Sequence, residues 1–139
     1  DAHAQLGRQR VTLEGTLLKP NMVTSGSTNP TRVGSEEVAL RTVETFMRTV
    51  PAAVPGIVFL SGGQSDDEAT VNLNEIAKRG ATAGAPWQLS FSYGRGLQAA
   101  PLKTWGGLPD NREAAQLAYL HRARLTSAAR QGIYAHDME

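Results

Sequence analysis

A lysine lies where a short apolar run meets a proline, a position that carries catalytic groups in many enzymes with parallel sheets. Lys19 follows Leu17 and Leu18 and precedes Pro20, and residues at the carboxyl ends of parallel strands are frequently catalytic. A lysine amine attacks a carbonyl carbon to form a Schiff base when desolvation or nearby positive charge keeps part of it unprotonated. Leu17, Leu18 and Met22 are candidates for such apolar surroundings. On position alone, a solvated lysine at a strand end is the favoured interpretation.

Two glycine-containing segments form a second candidate site. Ser61-Gly62-Gly63 and Ser92-Tyr93-Gly94-Arg95 each follow an apolar run and precede a helical pattern. Glycine lets backbone N–H groups approach a phosphate, serine adds a hydroxyl donor, and arginine binds two oxygens at once. Either segment alone is better explained as a tight turn between a strand and a helix. The pair, with a serine in each and an arginine in one, favours a shared phosphate site.

The histidines do not suggest a metal site. His3, His121 and His136 lie far apart and lack the spacing of metal ligands. His121, together with Arg122 and Arg124, is expected on the solvated face of the last helix. Trp87 and Trp105 are expected to be packing anchors.

The elements that position these residues alternate between strand and helix. Ser65 and Glu68 form a capping-box pattern, and Asp110 with Glu113 does the same for the last helix. Apolar runs and helical periodicity predict the other boundaries. The predicted elements are a strand at Val11 to Leu18, a loop at Asn21 to Gly34, a helix that Ser35 caps and that ends before Pro51, a strand at Ile57 to Leu60, a helix from Ser65 to Gly80, a strand at Trp87 to Phe91, a short helix at Gly96 to Ala100 interrupted by Pro101, and a long helix from Asp110 to about Arg130 that Gly132 terminates.

This alternation predicts an α/β fold with a parallel sheet, either open or closed into a barrel. Three strands are too few for a (β/α)₈ TIM barrel, which needs ~200 to 250 residues. Because the loops after the last two barrel strands often bind phosphate, we interpret the strands as the sixth to eighth of such a barrel. Residues 1–139 are then the carboxyl-terminal part of a single TIM-barrel domain, incomplete as given.

The composition of the chain limits the kinds of partner that we expect it to bind. The chain has 14 lysines and arginines against 13 acidic residues and contains no cysteine. A balanced charge provides no general field for nucleic acid or an anionic membrane, and the absence of cysteine excludes thiolate sites within this chain. The apolar runs are too short to span a bilayer, and the first residues do not read as a signal peptide. We therefore expect no nucleic-acid or membrane partner.

Five segments in series resemble the class I fructose-bisphosphate aldolases. The first looks like the Schiff-base segment of that family, the third like its phosphate loop and the fourth like its last strand and following helix, and the resemblance covers nearly the whole chain in order. The segments are Glu14 to Thr24, Arg48 to Pro51, Phe59 to Ser65, Leu89 to Arg95 with Leu97 to Ala99, and Lys103 to Gly107.

The resemblance implies a (β/α)₈ barrel that reversibly cleaves fructose 1,6-bisphosphate to dihydroxyacetone phosphate and glyceraldehyde 3-phosphate. Lys19 would form the Schiff base, and Ser61, Gly62, Gly94 and Arg95 would hold the phosphate nearest the ketone. No metal or other cofactor is needed, because the protonated imine is the electron sink. The partners would be phosphorylated ketoses and trioses, the complete protein a homotetramer, and its location the cytoplasm, with a plastid as the alternative.

The resemblance also leaves alternatives open. The family's catalytic aspartate, its further active-site lysines and its acid-base glutamate belong to earlier strands, which this sequence does not contain. Gly96 and Pro101 replace residues more compatible with a helix, so this helix is expected to be perturbed. The alternatives are a non-catalytic aldolase-like fragment or paralogue with a binding or scaffold role, and another Schiff-base lyase on the same barrel.

Overall fold

A computed structural model describes residues 2–26 and 28–139 and contains a three-stranded parallel sheet in the order β1-β2-β3. Helices separate the strands along the chain, which confirms the predicted α/β class. In chain order the elements are α1 (Ala2–Arg8), β1 (Leu17–Leu18), α2 (Ser35–Thr49), β2 (Gly56–Phe59), α3 (Asp66–Ala83), β3 (Gln88–Phe91), α4 (Arg95–Trp105) and α5 (Arg112–Ala129).

The central strand β2 lies in the core. Ile57 and Phe59 are fully buried, and the ring of Phe59 stacks on that of Phe46 from α2 with centroids 5.8 Å apart. A continuous apolar run is what a parallel strand covered on both faces requires. β2 therefore positions the loop that follows it on a rigid base.

The first strand is much shorter than predicted. Only Leu17–Leu18 pairs with β2, because β2 itself begins at Gly56, the partner of Leu17 in the parallel register. Leu13–Gly15 forms a turn of 3₁₀ helix instead. The prediction of a strand over Val11 to Leu18 was therefore wrong in length, although its carboxyl end is correct.

The helix signals were mostly correct. The Ser65 hydroxyl accepts a hydrogen bond from the Glu68 N–H at 3.1 Å, which confirms the predicted cap of α3. Gly80 does not end α3 as predicted. A Cβ there would lie only 2.8 Å from the Leu89 side chain, so this glycine gives β3 room to pack against the helix. α3 ends at Ala83, and Gly84, in the left-handed conformation, is its C-cap residue. Gly34, not the predicted Ser35, is the N-cap residue of α2.

The last two helices also differ from the prediction. α4 continues through Pro101 to Trp105, although an internal proline removes one helical hydrogen bond. Packing of α4 along α5 accounts for its persistence. A short 3₁₀ turn, Pro109–Asn111, precedes α5, and no side-chain cap forms there. Gly132, with φ of 72°, terminates the turn that follows α5, as predicted.

Arg122 corrects the prediction that this part of α5 is a solvated face. His121 and Arg124 are exposed, but Arg122 is only 5% exposed. Its guanidinium donates to the Thr70 hydroxyl at 2.7 Å and lies 2.7 Å from a carboxylate oxygen of Glu139. Burial raises the pKa of Glu139, but hydrogen bonds from Arg122 and Tyr134 outweigh burial and hold that pKa below its ordinary value.

Replacing Arg122 with alanine in the complete protein should therefore lower the free energy of unfolding by about 3 kcal/mol. The low end of the range for buried ion pairs applies, because Glu139 keeps partial contact with water. Because the pKa of Glu139 is depressed by folding, the stability that the pair supplies is present at neutral pH and is lost as pH falls through that depressed value. Thermal melts at pH 7 and at acid pH should show a difference between variant and wild type that shrinks on acidification.

Arg41→Ala is the matched control, since Arg41 forms an exposed ion pair with Glu37 on α2. It should leave the melting temperature unchanged at both pH values, as most exposed ion pairs add little to stability. A melting temperature equally unaffected in Arg122→Ala would contradict the buried contacts of Arg122.

The surface of the chain is larger than its mass predicts. The solvent-accessible area is 8503 Å², whereas a compact monomer of 14.9 kDa should expose about 7,000 Å². Leu17 is 66% exposed, and Trp105, which was expected to be a packing anchor, is 44% exposed. Trp87, by contrast, is buried and donates to the Pro51 carbonyl at 3.0 Å. Among the described residues, no helix is long and apolar enough to cross a membrane.

Candidate active site

The carboxyl ends of all three strands lie at one edge of the sheet. The Leu60 N–H, after β2, donates to the carbonyl of Pro20, after β1, at 3.0 Å. The Ser92 N–H, after β3, donates to the carbonyl of Phe59 at 2.8 Å. Parallel pairing therefore continues past the strands, so the segments after β1 and β3 flank the segment after β2.

Lys19 is the first residue beyond β1 and is exposed. Its expected apolar surroundings are not supplied by its neighbours in sequence. Leu17 is largely exposed, Leu18 is half-buried against the core, and Met22 is 3% exposed and packs into the core. Within residues 2–26 and 28–139, Lys19 forms no ion pair, so its amine is not held by a carboxylate.

The segment after β2 folds into a tight turn. Gly62 and Gly63 have φ of 57° and 81°, values in the left-handed region that favour glycine. A Cβ on Gly62 would collide with the side-chain amide of Asn21, from the segment after Lys19. Glycine is therefore required twice here, once by conformation and once by the close approach of Asn21.

The segment after β3 leads directly into a helix. Gly94 is the N-cap residue of α4 and Arg95 its first residue. The first N–H groups of a helix have no partner within that helix, and the helix dipole favours an anion at this end. The Arg95 side chain is exposed and forms no ion pair in the described part of the chain.

The structure brings these two segments into contact. A Cβ built on Gly96, in the first turn of α4, would lie 3.4 Å from the Cβ of Ser61. Ser61 is 7% exposed, and the Tyr93 hydroxyl ties the second segment to α3 through the Ala69 carbonyl at 2.9 Å. Burial raises the pKa of Tyr93, which therefore stays a neutral hydrogen-bond donor.

Three polar residues of the site were missed by the sequence analysis. The Asn21 side chain accepts from the Met22 N–H at 2.9 Å and covers Gly62. The Gln64 side chain contacts the Ser61 carbonyl, and the buried Asn72 on α3 donates to Gln64 at 2.6 Å. The sequence signal for Asn72 was weak, because the buried residues of α3 also include the polar Thr70 and Asn74.

Comparison with known proteins identifies the family of the chain. Residues 2–139 match the family described as fructose-bisphosphate aldolase class-I. The chain belongs to the class I fructose-bisphosphate aldolase family. It is 54% identical over 134 residues to the cytosolic fructose-bisphosphate aldolase 4 of Arabidopsis thaliana, and 54% identical over 129 residues to fructose-bisphosphate aldolase B of Gallus gallus.

A solved aldolase has the same fold. The fructose-bisphosphate aldolase of Plasmodium falciparum, crystallised with TRAP and a small-molecule inhibitor, superposes with a TM-score of 0.90 at 49% sequence identity, covering 96% of this chain and 38% of the other. That aldolase is a TIM barrel. The alignments cover 96% and 93% of this chain but only 34% of the Arabidopsis and 35% of the chicken relative. The chain therefore spans about a third of the length of an aldolase.

Proposed function

We propose that the complete protein to which this chain belongs is a Schiff-base aldolase that reversibly cleaves fructose 1,6-bisphosphate. The observation that carries the proposal is the meeting of three strand ends at one edge. Among the described residues, a lysine without an ion pair follows one strand, a buried serine follows the second, and a helix amino terminus whose arginine has no ion pair follows the third. Family membership supports the same reaction.

In the proposed mechanism, the Lys19 amine attacks the ketone carbon of the sugar, and loss of water gives a protonated imine. A base removes the proton of the hydroxyl on sugar carbon four, and the bond between carbons three and four breaks. The bonding electrons move to the imine to give an enamine, and glyceraldehyde 3-phosphate leaves. Protonation of the enamine at carbon three and hydrolysis of the imine release dihydroxyacetone phosphate and restore Lys19.

The phosphate next to the ketone is proposed to lie between the two glycine-containing segments. The Ser61 hydroxyl and the Gly62 N–H would donate from one side, and the N-terminal N–H groups of α4 near Gly94 from the other. Arg95 would add a charge-assisted hydrogen bond. The separation of parallel strands, ~4.8 Å, suits one phosphate shared by adjacent segments, with Lys19 one strand further along.

The rest of the barrel would supply what this chain does not. We propose that residues 1–139 form strands six to eight and the final helix of a single barrel domain, and that earlier strands carry the base and the other acid-base groups. They would also cover Leu17 and give the Lys19 amine the apolar surroundings that are missing here. We propose that the complete protein is a homotetramer and that it is located in the cytoplasm.

The direct test is cleavage of fructose 1,6-bisphosphate by the complete protein, with borohydride trapping of the imine on Lys19. A non-catalytic paralogue would bind phosphate without cleavage or trapping. Full activity that survives without a Lys19 adduct would reject the proposed mechanism.

Arg95→Ala tests the phosphate site separately. Loss of a charge-assisted hydrogen bond of about 1.5 to 3 kcal/mol should raise KM for fructose 1,6-bisphosphate about tenfold or more. An unphosphorylated ketose should be much less affected, because it makes no such contact. Steady-state kinetics with both substrates would measure this. Arg130→Ala, at an exposed position after α5, is the matched control and should change neither value. Equal loss for both substrates in Arg95→Ala would mean that Arg95 supports the fold instead.

A further inference from the structure

The side chain of Gln64 lies between the segment after β2 and the segment after Lys19. Its amide nitrogen Nε2 donates to the Ser61 carbonyl at 2.9 Å and lies 3.6 Å from the sulfur of Met22. Its amide oxygen Oε1 accepts from Asn72 Nδ2 at 2.6 Å. We propose that Gln64, oriented by Asn72, is a positioning residue that sets the Ser61-Gly62-Gly63 turn for phosphate binding. This inference rests on the proposed function of that turn.

The first step of the argument concerns the Ser61 carbonyl. It accepts two hydrogen bonds from the same residue, one from the Gln64 backbone N–H at 3.0 Å and one from its side chain. The carbonyl and the following N–H of a trans peptide point in opposite directions. Holding the Ser61 carbonyl toward Gln64 therefore turns the Gly62 N–H to the other side. Within the described part of the chain, the Gly62 N–H forms no hydrogen bond, so it remains available to an anion.

The second step concerns the orientation of the Gln64 amide. An amide has a donor end and an acceptor end, and a rotation by half a turn would place Oε1 against the Ser61 carbonyl. Asn72 prevents this rotation because its Nδ2 group needs an acceptor. Asn72 is 3% exposed on α3, and a buried amide that loses its partner is costly. The pair therefore fixes one orientation of Gln64 and, through it, one conformation of the turn.

The third step links the turn to the lysine segment. Met22 is buried in the core and lies three residues after Lys19. Its contact with Gln64 adds to the hydrogen bond between Leu60 and Pro20. Gln64 therefore contacts both the proposed phosphate turn and the segment of the proposed nucleophile. Both amides are neutral, so they would act on the position of the donors and not through charge.

The test compares two ketones in the complete protein, dihydroxyacetone phosphate and unphosphorylated dihydroxyacetone. Each is trapped on Lys19 by borohydride, and the concentration that gives half-maximal labelling is measured. Gln64→Met removes both hydrogen bonds of the side-chain amide but keeps a side chain of similar length. It should raise this concentration about tenfold for the phosphorylated ketone. Asn72→Leu should give a change in the same direction. The unphosphorylated ketone should be labelled as in the wild type.

Three controls separate the outcomes. Gln131→Met makes the same chemical change at an exposed position and should alter neither ketone. Asn72→Leu leaves Gln64 in place and adds no charge while removing the hydrogen bond to its Oε1, so it provides the test if Gln64→Met does not fold. The double variant Gln64→Met with Asn72→Leu should be no worse than the poorer single variant, since both changes disrupt one pair.

The proposal and the function on which it rests fail differently. If wild-type protein is not trapped by dihydroxyacetone phosphate, the proposed function is wrong. If wild type is trapped but the Gln64 variants label equally well with both ketones, or lose both equally, the positioning role is overturned and Gln64 serves only the fold.

Discussion

Lys19→Arg in the complete protein should lower the rate of fructose 1,6-bisphosphate cleavage on the order of 10⁴-fold or more, the scale seen when a covalent nucleophile is removed. Arginine keeps the positive charge and much of the length of the side chain, but its guanidinium does not form an imine with a ketone under these conditions. Substrate binding should therefore survive while the reaction stops. Steady-state kinetics and an equilibrium binding measurement with dihydroxyacetone phosphate would separate the two effects.

Imine trapping gives the second measurement on the same variant. Borohydride reduces the imine to a stable secondary amine, and peptide mass spectrometry should find the added triose phosphate on Lys19 in the wild type. Lys103→Arg is the matched control because Lys103 is an exposed lysine in the last turn of α4. It should label as the wild type does, whereas Lys19→Arg should not label at all. Labelling that persists at the same level in Lys19→Arg would place the nucleophile elsewhere.

The order of the elements could be predicted from local sequence patterns. The apolar run of β2, the Ser65 cap of α3 and the terminating Gly132 depend on neighbours within a few residues. The element boundaries that were predicted wrongly depend on contacts between residues far apart in sequence. Val11 to Leu18 has strand-forming residues, but β2 begins too late to pair with most of them. Pro101 does break a hydrogen bond, but packing of α4 on α5 keeps the helix intact.

In the candidate site, too, the features with a local sequence signal were predicted and those set by distant contacts were missed. Glycine after a strand is a local signal, and the turn at Gly62 was predicted from it. The helix predicted to begin at Gly96 begins one residue earlier, at Arg95, with Gly94 as its N-cap residue. Which polar side chain supports the turn is not a local property. Gln64 contacts Asn72, eight residues later, and Met22, from the segment after β1. Arg122 was predicted to be solvated because its partners are 52 and 17 residues away in sequence.

The 139-residue chain by itself should not fold as a stable monomer. Its surface exceeds that of a compact protein of its mass by about 1,500 Å². Exposed apolar side chains contribute to the excess: Leu17 on the edge strand, Leu102 on α4, Leu108 in the turn before α5, and Leu117 on α5. In the proposed barrel, earlier strands and helices would cover these groups. Without them, a parallel sheet has two open edges, which favour association.

We therefore expect the isolated chain to melt over a broad range, to elute as oligomers in gel filtration, and to give poorly dispersed amide resonances. The complete protein at the same concentration is the control and should melt cooperatively. Replacing Leu117 with glutamate tests the cause, because a charge on an exposed apolar face should reduce association of the isolated chain. In the complete barrel, where that face would be covered, the same change should lower the melting temperature. A sharp, cooperative melt of a monomer with dispersed resonances would show that three strands suffice and that the chain is an independent domain.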